Sequence, residues 1–346
     1  MIMKKILNKI IFFVNSLFLF LLLLSNISVY INPNIFWPIS FLGLLFPLLF
    51  VINFFFLVYW VILLKKNMIA NIIVLILSYS NISNYIGVAN KENIKKDTIK
   101  VLSYNVRIFN AYGWIPQLKK ETIYNYLKKE NADILCIQEF YVKDKIPKMN
   151  YKYHHIGKQS KKSKWHMAIY SKYKQIYKAT VTINGEKMNN TCIFSDIIIK
   201  NDTIRVYNIH LASNWFKESD YYFINNPNKE NIYDNIIAVV NKMKETYKSR
   251  ATEALAIRKH MNNSPYPVIV CGDFNDTPMS YAYKKIKGDL NDSFSKSGQG
   301  IGSSFVKIPA LRIDYILYDK KFKSTNYKKD NIILSDHFPI SCEIQL

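Results

Sequence analysis

Residues 10–64 contain no Asp, Glu, Lys or Arg, and residues 67–90 are again free of charge. A bilayer core takes roughly 20 apolar residues per helix, so the first block holds two spans. The break falls in INPNIFWP (31–38), where Asn-Pro and a second proline disfavour continuous helix. The expected spans lie near 10–30 and 39–64, the second kinked at Pro47 as a membrane helix tolerates. A third is expected over 68–88, weaker because Ser and Asn fill its second half. A signal peptide is shorter than the first block and is not followed so closely by a second apolar run. Lys4, Lys5 and Lys9 precede the first span, and Lys65 and Lys66 follow the second. Lysines in short loops mark the inner side. Three spans then give a multi-pass cell-membrane protein with residues 91–346 on the non-cytoplasmic face, whereas two would leave them in the cytoplasm. The spans carry no charge of the kind that marks an ion or substrate path, so they read as an anchor.

The 346 residues include 47 basic and 25 acidic ones, a net charge of +22. Five of the lysines flank the apolar blocks, so the remainder keeps 42 basic against 25 acidic residues, a net +17. Such a field favours anionic partners: nucleic acid, phospholipid surfaces or phosphorylated small molecules. The same composition is rich in Asn and Ile, so part of the lysine excess reflects general residue bias. Residues 91–346 are long enough for one domain with a sizeable core. Cys136, Cys192, Cys271 and Cys342 each fall in a strand-like run, and no CxxC occurs. They read as small buried hydrophobes rather than a zinc or disulfide framework.

Short runs rich in Ile, Val and Tyr recur: IKVLSYNV (99–106), DILCIQEF (133–140), MAIYS (167–171), TCIFSDIII (191–199), IRVYNIHL (204–211), PVIVCGDF (267–274), RIDYILY (312–318) and PISCEIQL (339–346). Their length and composition predict strands. Residues 117–130 and 231–262 have helical spacing; 157–166 and 217–230 read as polar surface loops. The successive runs 167–171, 176–183, 191–199 and 204–211 suggest an antiparallel meander within an α/β fold.

Polar residues stand at the ends of these strands. Asn105 ends the first, Gln138 and Glu139 the second, and His210 a later one; Asp273 and Asn275 follow PVIVCG. Asp336 and His337 precede the last strand, and Asp314 lies inside RIDYIL. Any one could be a turn or a cap. A carboxylate inside an apolar run is costly unless it is paired or ligates a cation. A Glu with one or two Asp and an Asn suits a hard divalent cation, and two nearby histidines suit general-base work. Together they point to metal-assisted hydrolysis at phosphorus.

SYNVR (103–107), IQE (137–139), NIHL (208–211), GDFND (272–276), RIDYI (312–316) and SDHFP (335–339) follow one another as in the endonuclease/exonuclease/phosphatase superfamily, which this sequence resembles over about residues 98–346. The resemblance implies a four-layer α/β sandwich, with two mainly antiparallel sheets flanked by helices, behind the N-terminal transmembrane anchor (residues 1–90). It implies Glu139, Asn105 and Asp336 as ligands of Mg²⁺, with Mn²⁺ as an alternative. It implies His337 as general base oriented by Asp314, with Asn275 and His210 holding phosphate oxygens. Asp273 would position water or protonate the leaving group. The expected substrate is a phosphate ester, nucleic acid first, with phospholipid or inositol phosphate as alternatives. A non-catalytic anion-binding module is the reading of another class. Besides the lipid bilayer no protein partner is implied. Arg107 stands where apurinic endonucleases carry an acid, and either binds phosphate or packs. His166 either faces the site or takes a surface position, the second being the commoner outcome. No acid is evident to pair with His210, and Asp276 is expected to cap or turn the chain.

Overall fold

The computed structural model describes residues 2–88, 97–141, 149–158, 165–183, 186–187, 191–214, 216, 218–225 and 232–346. Its first part is helical: α1 (Ile2–Ser28), α2 (Pro33–Phe36), α3 (Ile39–Leu44), α4 (Phe46–Ile62) and α5 (Met68–Ile82). Among the described residues one helix, Met3–Ser28, is long and apolar enough to cross a membrane; Phe46–Ile62 and Met68–Ile82 are apolar but shorter. Two expectations are corrected here. The run 39–64 is not one kinked helix: α3 ends at Leu44 and α4 starts afresh at Phe46, with Pro47 in its first turn, where a missing N–H costs nothing. The run 68–88 is helical only to Ile82, and Ile86–Val88 becomes strand β1.

Tyr59 Oη donates to Asn8 Oδ1 (2.7 Å) and Asn53 Nδ2 to the Phe18 carbonyl (3.0 Å), so α4 runs back along α1. Asn15 pairs with Asn71 (3.0 and 2.9 Å), and Asn26 Nδ2 donates to Ser78 Oγ (2.9 Å), so α5 runs parallel to α1. Asn71, Ser78 and Asn81 of α5 therefore face α1, where a polar pair holds apolar helices together.

The rest of the chain runs β2 (Thr98–Asn105), α6 (Lys120–Glu130), β3 (Ile134–Tyr141), β4 (Tyr153–Lys158), β5 (Trp165–Ser171), β6 (Gln175–Thr180), β7 (Thr182–Ile183) and β8 (Glu186–Lys187). It continues with β9 (Cys192–Ile199), β10 (Asp202–His210), α7 (Glu218–Asn225), α8 (Ile232–Asn262), β11 (Val268–Asp273), α9 (Tyr281–Lys287), β12 (Asn291–Asp292) and α10 (Ser293–Ser297). The last elements are β13 (Gln299–Ile301), β14 (Asp314–Tyr318), β15 (Lys323–Lys329) and β16 (Ile340–Gln345). Two six-stranded sheets form, in the orders β12-β14-β11-β10-β9-β6 and β15-β16-β2-β3-β5-β4. Each is antiparallel except for one central parallel pair, β10–β11 and β2–β3. The four-layer sandwich is thus an α/β fold of the kind expected. The meander is only partly as read: β6, β9 and β10 form it, while β5 belongs to the other sheet. Residues 218–225 are helical rather than loop, and most of 157–166 lies outside the described residues.

Ile99, Val101, Ile134, Cys136, Ile169, Ile193, Val206, Ile269, Cys271, Ile316, Cys342 and Ile344 interdigitate between the sheets. Three of the four cysteines thus fill this core, and the free, buried Cys192 packs outside it among the residues beneath α8 and α9. At one end the apolar layer gives way to a polar tie. Gln138 Nε2 donates to Asn208 Oδ1 (2.7 Å), and Asn208 Nδ2 donates to the carbonyls of Ile137 and Ala168 (both 2.9 Å). Above this tie the strand ends open into the site.

Candidate active site

A parallel pair places two C-termini side by side. Asn105 pairs with Gln138 at the end of β2–β3, and His210 with Asp273 at the end of β10–β11. Asp314, the first residue of β14, pairs with Asp273. The two sheets therefore deliver all these residues to one edge of the sandwich.

Local backbone devices aim the side chains. The ladder between β3 and β5 skips from Ile137 to Phe140, and Glu139 in the bulge takes φ 48°. A bulge re-aims a side chain, and positive φ in a non-glycine residue is strain held by its surroundings. Gly272 is required by contact: a Cβ there would lie 1.9 Å from the Ile209 carbonyl oxygen. Asn275 has φ 52°, a value Asn tolerates, and its N–H donates to Asp273 Oδ1 at 2.8 Å. Arg107 to Asn110 all have φ between 42° and 55°, a left-handed turn that swings Arg107 back over the edge.

The contacts form one network. Asn105 Nδ2 donates to Glu139 Oε1 (3.2 Å) and Asp273 Oδ2 (3.0 Å). His210 Nε2 lies 3.7 Å from both carboxylates and, among the described residues, has no hydrogen-bond partner. His337 Nδ1 donates to Asp314 Oδ2 at 2.9 Å, and its Nε2 stands 3.6 Å from Asp273 Oδ2. Asp336 pairs with Arg107 Nε at 3.3 Å, and that guanidinium lies 4.2 Å above the Trp114 ring. All eight expected site residues are thus placed in one network or, for Asn275, directly beside it. Arg107 therefore packs on Trp114 and pairs with an acid of the site.

Electrostatically the edge is over-supplied with acid. Burial raises Glu139 above the usual carboxylate range, with Asp336 adding to the rise and His210, Asn105 and His337 opposing it. Asp314 is raised mainly by burial, and His337 pulls it back. Burial alone would lower His337, but Asp314 and Asp273 hold its imidazolium well above the ordinary range. These groups fit a divalent cation: their donors are mostly hard oxygens, and crowded acids lack compensating charge. Asp273, Asp314 and His337 also offer ligand atoms within 4.8 Å of one another. Because Asp314 already holds His337, that trio suits base and orienter better, leaving the Glu139 side to the cation. Asn105 Oδ1 accepts from the Arg107 N–H (3.0 Å), so its amide would turn over to offer oxygen to the ion. Which amide atom faces which partner follows from hydrogen bonding alone.

Two residues of the site were not legible in the motifs. Glu253, on α8, accepts from the Ala212 N–H (2.9 Å); burial pushes its carboxyl up to about 7, with that bond, Arg250 and His210 opposing the rise. The acids nearest His210 remain Glu139 and Asp273, each 3.7 Å from its Nε2. Arg250, one helical turn earlier and 1% exposed, donates to the Asn275 carbonyl oxygen and approaches Asp276 at 3.2 Å. Asp276 does take the Thr277 N–H (3.0 Å), as a turn residue would, but its second role is this buried ion pair. His166 is 7% exposed on β5, not a surface residue. Asn275 Nδ2 donates to the Leu211 carbonyl (2.9 Å), which leaves its second hydrogen for a ligand.

Residues 102–337 match the family model described as Endonuclease/Exonuclease/phosphatase family, and residues 8–85 match a domain of unknown function, DUF8431. No curated protein matches the sequence. Among solved structures, an endonuclease/exonuclease/phosphatase family protein from Bacteroides thetaiotaomicron is similar at 17% identity and TM-score 0.50, over 73% of this chain and 96% of that one. The mannosyl-6-phosphatase Bt3783 of the same organism is similar at 18% identity and TM-score 0.50, over 72% and 100%. A humanized D. rerio TDP2 is similar at 12% identity and TM-score 0.50, over 72% and 99%. At these identities the likeness is one of fold.

Proposed function

The chain belongs to the endonuclease/exonuclease/phosphatase family, and from that premise we propose that it is a metal-assisted phosphoester hydrolase with water as nucleophile. The observation that carries this reading is the Asp314–His337 pair at 2.9 Å, aimed at an edge where Glu139, Asp273, Asp314 and Asp336 outnumber the cations paired with them. A binder has no use for an oriented base. Mg²⁺ or Mn²⁺ held by Glu139 and Asp336, with Asn105 alongside, would polarise the phosphoryl oxygen and offset the carboxylates.

With the acids compensated, His337 gives up its proton to solvent and its Nε2 becomes the base. Asp314 keeps Nδ1 protonated and the ring in place. Nε2 takes a proton from water as the water oxygen bonds to phosphorus in line with the departing ester oxygen. The P–O ester bond breaks, and Asp273 or solvent returns a proton to the leaving oxygen. His210 Nε2 and the spare Asn275 N–H face the phosphoryl oxygens as charge builds on them. Basic charge suits nucleic acid, phospholipid and inositol phosphate alike.

The test is turnover of a chromogenic phosphodiester by the full chain in detergent with Mg²⁺. Glu139→Gln and His337→Ala should each lower kcat about 10³-fold. Full activity in either variant would remove the assigned roles. Phosphate binding without turnover in the unaltered chain would favour the anion-binding module.

We further propose that α1, α4 and α5 cross the membrane together, with the catalytic region on the non-cytoplasmic side. Phe13, Phe55 and Ile76 are 74%, 65% and 68% exposed on three different helices, surfaces that water would not tolerate. Lys4 and Lys5 begin α1, and Lys65 and Lys66 follow α4, two ends that the Tyr59–Asn8 bond brings together and that lie away from the Met279 contact, as loop lysines do on the inner side. Activity of a cytoplasm-only reporter fused after Leu346 would overturn this orientation.

A further inference from the structure

The apolar helices are not a loose tether. Met279, just beyond Asn275, is 1% exposed and packs in one core with Leu22, Val29, Phe46, Leu49 and Tyr85. Gly43 approaches so closely that a Cβ there would stand 2.4 Å from the Met279 carbonyl oxygen. Arg250 makes a second brace. It donates to the carbonyls of Asn275 and Ala212 (3.4 Å to the latter) and stacks on Tyr247, whose ring meets Phe41 edge-on at 5.6 Å. The third is Arg312, in the same motif as Asp314, which donates to the Asn84 carbonyl at 2.9 Å while β1 pairs with β13. The strand ends that carry His210, Asp273 and Asp314 are each tied to the helical bundle. The bundle therefore abuts the sheet edge on which the site is built.

The junction has the chemistry of a membrane interface. Lys284 lies 5.2 Å over the Tyr30 ring and Lys244 5.6 Å over Trp37, so catalytic-region cations sit on aromatics at the end of the bundle. Aromatic belts and lysines of this kind mark the headgroup level and attract anionic lipid. Along α8, Tyr233, Ile237, Lys244 and Lys248 fall on one stripe by helical spacing. Its middle touches the bundle, where Asn34 Nδ2 reaches the Lys248 carbonyl (3.4 Å). Its N-terminal turns overhang on that side with Tyr233, Ile236 and Ile237 73%, 47% and 40% exposed. Helix α7 is fastened there by Asp220–Lys242 (2.6 Å) and runs an aromatic row from Tyr221 through Phe305 to His337.

We infer that the substrate is a phosphoester carried by a membrane lipid, taken from the leaflet on which the catalytic region rests. The inference deepens the hydrolase reading and depends on it and on insertion of the helices. A site held rigidly at headgroup height meets lipid phosphates at high local concentration, whereas a soluble polymer gains nothing from that placement. The overhanging apolar face of α8 then rests on the bilayer surface, continuing the contact the bundle begins.

The test reconstitutes the full chain with Mg²⁺ in vesicles of phosphatidylcholine, phosphatidylethanolamine and phosphatidylglycerol. Release of phosphate or phosphorylated headgroup is followed by ³¹P NMR. Plasmid DNA and bis(p-nitrophenyl) phosphate are supplied in parallel at equal phosphate concentration. Vesicle phosphoester should turn over at least roughly tenfold faster than either soluble substrate. Ile236→Glu with Ile237→Glu should slow the vesicle reaction about fivefold and leave the nitrophenyl reaction unchanged. Cleavage of DNA as fast as lipid, or an equal loss on both substrates in the α8 variant, overturns the lipid assignment while leaving a hydrolase. No turnover of any substrate, or turnover that survives Glu139→Gln, overturns the hydrolase reading beneath it.

Discussion

Arg312 and Asp314 belong to one motif, yet they head two opposite kinds of buried charge. Arg312 has its charge matched, and only its Nε lacks a hydrogen-bond partner among the described residues. Its Nη2 donates to Asp292 (2.6 Å), its Nη1 to the Asn84 carbonyl, and its plane is covered by Phe294 at 4.6 Å and Tyr315 at 4.7 Å. Asp292 also takes the Tyr283 hydroxyl (2.7 Å) and the Phe294 N–H (2.9 Å). Asp314 instead joins a cluster in which acids outnumber their partners and His210 Nε2 is left over. A closed charge set stabilises a fold and does no chemistry, while an open one waits for a cation, a substrate or a proton.

The contrast predicts opposite responses to the same chemical change. Asp292→Asn strands a guanidinium that is 1% exposed, and should cost about 3–5 kcal/mol by thermal or denaturant unfolding. A loss under about 1 kcal/mol would show that the pair is not the closed structural unit described.

Glu253 tests the intermediate case, a buried acid with partial compensation. Its carboxyl loses a proton near 4.5 in the unfolded chain and at about 7 in the fold. The folded state therefore holds this proton more tightly. Its contribution to stability is fully present below 4.5 and is lost as pH rises to about 7, a change of roughly 3 kcal/mol. Glu253→Gln should flatten the unfolding free energy across that window; an unaltered pH slope would place the titration elsewhere.

The smallest effect is expected at the open cluster. Glu139→Gln removes one of several mutually repelling acids and should leave stability unchanged or raise it by about 1 kcal/mol, even as activity disappears. A large loss of stability would make Glu139 a structural residue.

Much of the site was legible because short apolar, strand-like runs give way abruptly to polar residues, and the order of those residues is that of a known family. Asn105, Glu139, His210, Asp273 and Asn275 could be named from such ends, Asp336 and His337 from the approach to the last strand, and Asp314 from a carboxylate inside an apolar run. Glu253 and Arg250 could not. They lie in the middle of a 31-residue helix, where a Glu and an Arg read as solvated surface until the helix is laid against the strand ends. His166 failed for the converse reason: a polar residue on a strand between Trp165 and Met167 shows its face only when the sheet order is known.

What the sequence by itself determined is local or periodic: an uncharged run that must avoid water, strand-length apolar segments, and the residue types that chemistry at phosphorus requires. What only the tertiary structure decided is juxtaposition across long loops. Met279 is an ordinary apolar residue after a turn until Phe46 and Tyr85 close over it. The bulge at Glu139 and the left-handed turn at Arg107 likewise have no signature in composition, because they are strains imposed by neighbours. The apolar helices and the candidate site's sheet edge look like separate parts in the sequence, joined by a charged stretch. They become one body in the fold because burying a shared core outweighs the entropy of a free linker.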